Sequence, residues 1–198
     1  MIKFENLSHE LPYLLFKEKY DDALSANQKS IEAISISSFN KELDEVDSRY
    51  VNLKLVLNNE FIFFSNYESP KAKAFISHKQ IGALIYWSSI NVQIRMKATI
   101  KRTPYEYNQK YFYTRLEEKN ALAISSNQSR PIESFSQVKK KYAKSLEKDD
   151  LKKCPEYWGG YAFIPYYFEF WEGEKFRLNK RNIYEKKQDN WQHFLLQP

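Results

Sequence analysis

The run Trp158-Gly159-Gly160-Tyr161-Ala162-Phe163-Ile164-Pro165-Tyr166-Tyr167-Phe168-Glu169-Phe170-Trp171 governs how the rest of this chain is read. From Tyr161 to Trp171 it is dense in aromatic side chains, the composition of a strand. Pro165 interrupts it and has no N–H for a central ladder, so it marks a break or an edge. Gly159 and Gly160 permit close backbone approach, which gives Trp158 and the two glycines a structural reading. Glycine is scarce elsewhere, with only Gly82 and Gly173.

Working outward, the aromatic share is 17% of 198 residues. Many short aromatic and β-branched runs predict a barrel or sandwich rather than a helical bundle. The expected class is mainly β with flanking helices, in one domain spanning 1–198. Leu11 to Leu24 has a helical rhythm through Leu14, Leu15, Phe16 and Tyr20. Ala33 to Ser37 alternates, with Ile34 and Ile36 on one face. Tyr50 to Leu57 reads as a single strand with Val51, Leu53, Leu55 and Leu57 on one side. Asn58-Asn59 then turns into Phe61–Phe64. Ser69 caps a short helix with Pro70 at its first position. Ile81–Trp87 and Val92–Arg102 form a strand pair. Thr103-Pro104 opens a helix running to about Arg115. Ser134 caps another that carries Phe135, Val138, Tyr142 and Leu146 inward. Arg177–Glu185 and Trp191–Leu196 complete the strands.

Several chemistries are excluded or disfavoured. The single cysteine, Cys154, forbids an intrachain disulfide and suits a reducing compartment. His9, His78 and His193 have no metal-ligand spacing, so no metal is expected. Neither a phosphate-binding Walker loop nor a dinucleotide fingerprint occurs. No apolar run reaches membrane-span length, and Met1-Ile2-Lys3-Phe4-Glu5 does not read as a signal peptide, so cytoplasm is expected. The net charge of +6 admits nucleic acid or small anions. Lys139-Lys140-Lys141 and Lys152-Lys153 read as solvated runs, and a nucleic-acid or membrane partner is not expected.

Three groups suit a phosphorylated ligand. Arg49 and Lys54 flank one strand stretch. Ser69-Pro70-Lys71 offers a helix N-terminus with a cation in its first turn. Tyr111 and Arg115 stand at i,i+4 on one expected helix face, where a guanidinium can grip phosphate bidentately.

These groups recur in the order found in the pyridoxamine 5′-phosphate oxidases, FMN-binding split barrels, which the chain resembles over about 11–198. The resemblance rests on Arg49-Tyr50-Val51-Asn52-Leu53-Lys54, Phe64-Ser65-Asn66-Tyr67-Glu68-Ser69-Pro70-Lys71, Val92-Gln93-Ile94-Arg95 and Tyr111-Phe112-Tyr113-Thr114-Arg115. It continues in Gln128-Ser129, Trp158-Gly159-Gly160-Tyr161, Glu169-Phe170-Trp171 and Arg177-Leu178-Asn179-Lys180-Arg181. It implies FMN contacts along Arg49, Tyr50, Val51, Asn52, Leu53 and Lys54. It implies further ones at Phe64, Ser65, Pro70, Lys71, Gln93, Gln128, Ser129, Trp171 and Arg181. Lys54, Tyr111, Arg115 and Lys119 would hold a substrate phosphate, while Arg177 and Asn179 would stand at the reacting carbon. Arg95 reads as a sheet-surface cation.

The implied reaction oxidises pyridoxine or pyridoxamine 5′-phosphate, a phosphorylated vitamin B6, to pyridoxal 5′-phosphate, with oxygen as acceptor, in a homodimer. A related split-barrel flavoprotein with another role is the alternative. The chain departs from the pattern at Pro70 for a cation, Asn179 for histidine, Lys119 for serine, and a short segment before Leu11.

Overall fold

The computed structural model describes every residue, Met1–Pro198. The chain opens with β1 (Lys3–Glu5) and α1 (Leu11–Ser25), whose Tyr13, Phe16, Tyr20 and Ala23 are buried. Next come β2 (Ala33–Asn40), β3 (Glu45–Asn52), β4 (Leu55–Leu57), β5 (Glu60–Asn66) and α2 (Pro70–Ser77). Then follow β6 (Gln80–Trp87), β7 (Val92–Arg102), α3 (Tyr105–Tyr113), α4 (Glu117–Ser125) and α5 (Phe135–Lys148). The chain ends with β8 (Trp158–Glu172), a 3-10 turn at Lys175–Arg177, β9 (Lys180–Lys187) and β10 (Asn190–Leu195). No helix is long and apolar enough to cross a membrane.

Ten strands form one sheet in the order β1-β4-β5-β8-β7-β6-β2-β3, with β9 beside β8 and β10 beside β9. Only β1 and β4 run parallel. The hydrogen-bonded path does not close: β1 and β3 remain its two ends. The expected barrel is therefore a curled, open sheet around a core of 28 buried residues that α1 covers. Rings dominate that core, as where Phe61 meets Phe16 edge-on at 4.9 Å and stacks on Phe163 at 5.2 Å.

β8 is the central strand and explains its own proline. Its first half, Trp158–Phe163, pairs with β5, and its second half, Tyr167–Glu172, pairs with β9. Pro165 lies between the two partners, where no ladder on that side asks for its N–H. On the other side Lys97 faces Tyr167 and Ala98 faces Pro165, so Tyr166 is the extra residue of a bulge. The two glycines are a packing requirement. A Cβ on Gly159 would run into the Tyr67 hydroxyl and the Asn108 amide, and one on Gly160 into Thr103. Those groups are already joined: Asn108 donates to the Tyr67 oxygen at 3.0 Å, and Tyr67 donates to the Gly160 carbonyl at 3.0 Å.

Four expectations need correction. Tyr50–Leu57 is not one strand, because the ladder changes partners at its centre. Leu53 N–H donates to Glu32 on the β2 side at 2.8 Å, whereas Lys54 N–H donates to Ile62 on the β5 side at 2.9 Å. Thr103–Arg115 is not one helix: α3 stops at Tyr113, and Arg115 sits in the link to α4. Phe135 and Leu146 of α5 are exposed, while Val138 and Tyr142 are half-buried, so the expected inward face is only partly used. Finally, β9 begins at Lys180 rather than Arg177.

The hairpin at Asn58-Asn59 forms as expected, with Asn58 at φ 52° and Leu57 opposite Glu60. Ser69 is the N-cap position of α2 with Pro70 first in the helix, although the Ser69 hydroxyl turns back to the Asn66 carbonyl.

Candidate functional site

Where β3 passes into β4 the chain crosses from one end of the sheet path to the other, and a cleft of about 550 Å³ opens there. Tyr50, Val51 and Asn52 of β3 line it, followed by Lys54 at the crossover and by Phe64 and Ser65 of β5. Lys71 of α2, Tyr111 of α3, Arg115 in the α3–α4 link, Lys119 of α4, and Gln128 complete the expected members. The cleft also takes in Trp158, Lys3, Thr114 and Leu116, which the sequence reading did not assign to it. Five lining side chains are cationic, namely Lys3, Lys54, Lys71, Arg115 and Lys119, and none is acidic.

One wall is a stack of rings. Phe64 lies parallel to Tyr111 at 3.8 Å between centroids and parallel to Trp158 at 5.1 Å. The Arg115 guanidinium sits over the Trp158 ring at 4.4 Å, a cation–π contact that fixes its plane. One of its terminal nitrogens donates to the Lys119 carbonyl at 3.3 Å. The other is buried without any hydrogen-bond partner. Burial holds the Arg115 guanidinium below its ordinary pKa, only partly offset by Tyr111 and Cys154. A buried, unpaired N–H of a charged group is costly, and an anionic oxygen at that point removes the penalty.

Lys54 is half-buried, with Glu32 at 3.8 Å as its one acidic neighbour. Burial holds its ammonium below the usual lysine range, Glu32 opposes this, and Lys119 and Arg115 add to it. Lys71 is 8% exposed and donates only to hydroxyls, Ser65 at 3.2 Å and Ser69 at 3.3 Å. Burial and the nearby Arg49 depress it as well, against Asp47. Ser65 in turn donates to the Gln128 side-chain carbonyl at 3.2 Å, which also accepts the Asn66 N–H. The donor set thus falls into two positive groups: Lys54–Arg115–Lys119, with Glu32 as its one acidic neighbour, and Lys71, beside which Arg49 is already paired with Asp47. That chemistry fits phosphate esters.

The other expected residues lie outside the cleft. Arg49 donates to Ser38 at 2.7 Å and to the Ile36 carbonyl at 3.2 Å, and it pairs with Asp47. Leu53 is fully buried in the core, so its side chain meets no ligand. Pro70 is exposed at the start of α2. Ser129 faces a separate cleft of about 390 Å³ beside Arg130 and Lys141. Gln93, Trp171 and Arg181 stand in register across β7, β8 and β9 as one row. Glu169, 3% exposed, anchors that row by accepting from Arg181 at 2.9 and 2.8 Å and pairing with Arg95. Burial works against its charge, yet the two arginines bring its carboxyl below the usual range. Arg95 is thus a sheet cation, as read. Arg177 is exposed in the 3-10 turn, and Asn179 bonds within that turn.

Trp158, expected to be structural, is also the platform for Arg115. Lys3 left no signal, because it reaches the cleft through the parallel β1–β4 pairing of Lys3 with Leu55.

Residues 158–198 match the C-terminal dimerisation region of pyridoxine 5′-phosphate oxidases. A pyridoxine/pyridoxamine 5′-phosphate oxidase from Leptospira biflexa is 34% identical over 190 residues, covering 94% of this chain and 89% of the relative. The chain belongs to the pyridoxine/pyridoxamine 5′-phosphate oxidase family. Two solved structures show the fold. PhzG from Burkholderia lata, in complex with tetrahydrophenazine-1-carboxylic acid, has TM-score 0.89 at 22% identity, covering 94% of this chain and 92% of its own. A pyridoxamine 5′-phosphate oxidase-related, FMN-binding protein from Nostoc punctiforme has TM-score 0.76 at 12% identity, covering 92% and 97%. The matched region begins at Trp158, which stands on the cleft wall.

Proposed function

We propose that this protein is an FMN-dependent oxidase of pyridoxine or pyridoxamine 5′-phosphate that yields pyridoxal 5′-phosphate. The fold is one split-barrel domain acting as a homodimer, and the cofactor is FMN. The observation that carries the reading is the cleft with five cations and no carboxylate, centred on a buried guanidinium nitrogen without a partner. Two positive groups suit two phosphate-bearing molecules, the cofactor and the substrate.

When bound, FMN supplies the two-electron acceptor for the alcohol or amine carbon and passes the electrons to oxygen. The residues of the chain supply position and charge. Arg115, Lys54, Lys119 and the Tyr111 hydroxyl hold the substrate phosphate. Lys71, Ser65 and Gln128 would hold the cofactor, with Phe64 on the cleft wall beside them. Gln93, Trp171 and Arg181, with Arg177, come from the second subunit. Asn179 carries a neutral amide and cannot take up a proton near neutral pH, so the proton leaving the substrate passes to solvent or oxygen rather than to this side chain.

A second reading, a split-barrel flavoprotein acting on another anion, is favoured by one observation. Asn179 turns its side-chain carbonyl to the Glu174 N–H of its own loop and offers no imidazole to the substrate. Anaerobic titration of the FMN-loaded protein with pyridoxine 5′-phosphate separates the two. Bleaching of the visible flavin band, with pyridoxal 5′-phosphate formed, is the expected result. A flavin that binds but stays oxidised selects the second reading.

A further inference from the structure

Between β8 and β9 the chain makes a loop, Gly173 to Asn179, whose tip is exposed and conformationally demanding. Phe176 and Arg177 both adopt left-handed backbone angles, φ 57° and 65°. Phe176 is 93% exposed and Leu178 71% exposed. Consecutive left-handed residues with bulky side chains persist only where surrounding contacts impose them. Here the contacts are few and can be named. The loop base is tied to the β6–β7 turn, where Gly173 N–H donates to the Asn91 carbonyl at 3.0 Å and the Asn91 amide donates to the Gly173 carbonyl at 3.2 Å. Leu178 N–H donates to the Lys175 carbonyl at 3.3 Å. The remaining tie is the Asn179 side-chain carbonyl, which accepts the Glu174 N–H at 3.1 Å and closes the loop from its far end. The exposed Arg177 guanidinium makes no hydrogen bond or ion pair within the chain.

We propose that Asn179 is a positioning residue: by closing this loop it presents Arg177 to the substrate held in the cleft of a second copy. The inference rests on the proposed function, since it takes that cleft to hold the phosphorylated vitamer. Asparagine serves here as an acceptor, not as a proton carrier. An aspartate at the same position keeps the acceptor, whereas alanine removes it.

The test uses the FMN-loaded full chain as wild type, Asn179→Ala, Asn179→Asp and Arg177→Ala. Amide hydrogen exchange is followed over peptides covering Gly173–Asn179, alongside turnover of pyridoxine 5′-phosphate. In Asn179→Ala, exchange at Glu174 and kcat/KM should each change by roughly fivefold, the worth of one such hydrogen bond. FMN affinity and melting temperature should stay at wild-type values. Asn179→Asp should restore both readouts to within about twofold. Arg177→Ala should lose turnover without faster exchange. Wild-type exchange and turnover in Asn179→Ala, with Arg177→Ala impaired, overturns the proposal while leaving the functional reading intact. Faster exchange with unchanged turnover also overturns it. A wild-type protein that neither binds pyridoxal 5′-phosphate nor oxidises the vitamer removes the functional reading, and the proposal falls with it.

Discussion

Arg115 concentrates the chemistry of the cleft in one side chain. Its plane is set by Trp158, one nitrogen is spent on the Lys119 carbonyl, and the other awaits an acceptor. Arg115→Ala should raise KM for the phosphorylated substrate by roughly 10- to 100-fold, the range for a charge-assisted hydrogen bond, with a smaller fall in kcat. Arg115→Lys should rescue little of this, because an ammonium offers neither the fork nor the flat stacking surface. Steady-state kinetics decide both points, and an equal loss in kcat and kcat/KM contradicts the assignment. Lys54 adds a pH dependence. Burial and its cationic neighbours lower its pKa, so its charge is complete below that lowered value and is lost earlier than usual as pH rises. Affinity for inorganic phosphate, already dianionic at mildly alkaline pH, should therefore fall as pH climbs through the window just below the ordinary lysine value. Lys54→Arg should flatten that fall in a calorimetric titration series. A wild-type profile as flat as the variant's would show that Lys54 does not touch the anion.

Secondary-structure elements matter here through where they end. The β3–β4 crossover exists because Leu53 and Lys54 donate to different neighbours, and it turns Lys54 into the cleft while Leu53 is packed in the core. α3 ends two residues before Arg115, which leaves the guanidinium free to swing onto Trp158 rather than follow a helix face. The start of β8 has a comparable role, since Gly159 and Gly160 let Tyr67, Asn108 and Thr103 close against the strand directly beside Trp158. Gly159→Ala forces that network apart. Overpacking of this kind costs about 1–3 kcal/mol, or about 2–12 °C in Tm for a chain of this size. Thermal melts measure it, and an unchanged Tm would mean the network yields without cost. At the far end of β8, the two left-handed residues Phe176 and Arg177 store about 1–3 kcal/mol each. Such strain is kept where a tip must be presented.

Across the entire chain most of the expected ligand residues fall in two places, with Arg49, Leu53, Pro70 and Ser129 in neither. One set lines the cleft. The other, the Gln93–Trp171–Arg181 row with the Arg177 tip, lies on β7–β9 and the loop between β8 and β9. The matched dimerisation region covers the second set from Trp171 onward. In the proposed homodimer a second copy of the chain unites the sets, and light scattering should find a dimer at micromolar concentration. Pairing also makes a sharper prediction. Arg115→Ala and Arg177→Ala should each be poorly active alone. Mixed and allowed to exchange subunits at random, they should recover roughly a quarter of wild-type activity, because half the dimers are mixed and each mixed dimer has one intact site of two. No recovery would place both arginines in the same subunit's site.

Much of this protein could be read from local pattern. The alternation of Ile34 and Ile36, the Asn58 turn, the Ser69-Pro70 helix start and the interruption at Pro165 all depend on neighbours a few residues away, and the fold class follows from their density. The identities of the cleft cations were equally legible, since Lys54, Lys71, Arg115 and Lys119 carry their charge wherever they stand. Their environment was not. That Lys71 is buried among hydroxyls, that Arg115 leaves its helix to lie on Trp158, that Lys3 joins the cleft and that Arg49 is engaged by Asp47 and Ser38 follow from ladder partners and packing between segments far apart in the chain. Charge belongs to the residue, whereas desolvation and hydrogen-bond partnership belong to whatever folding brings beside it.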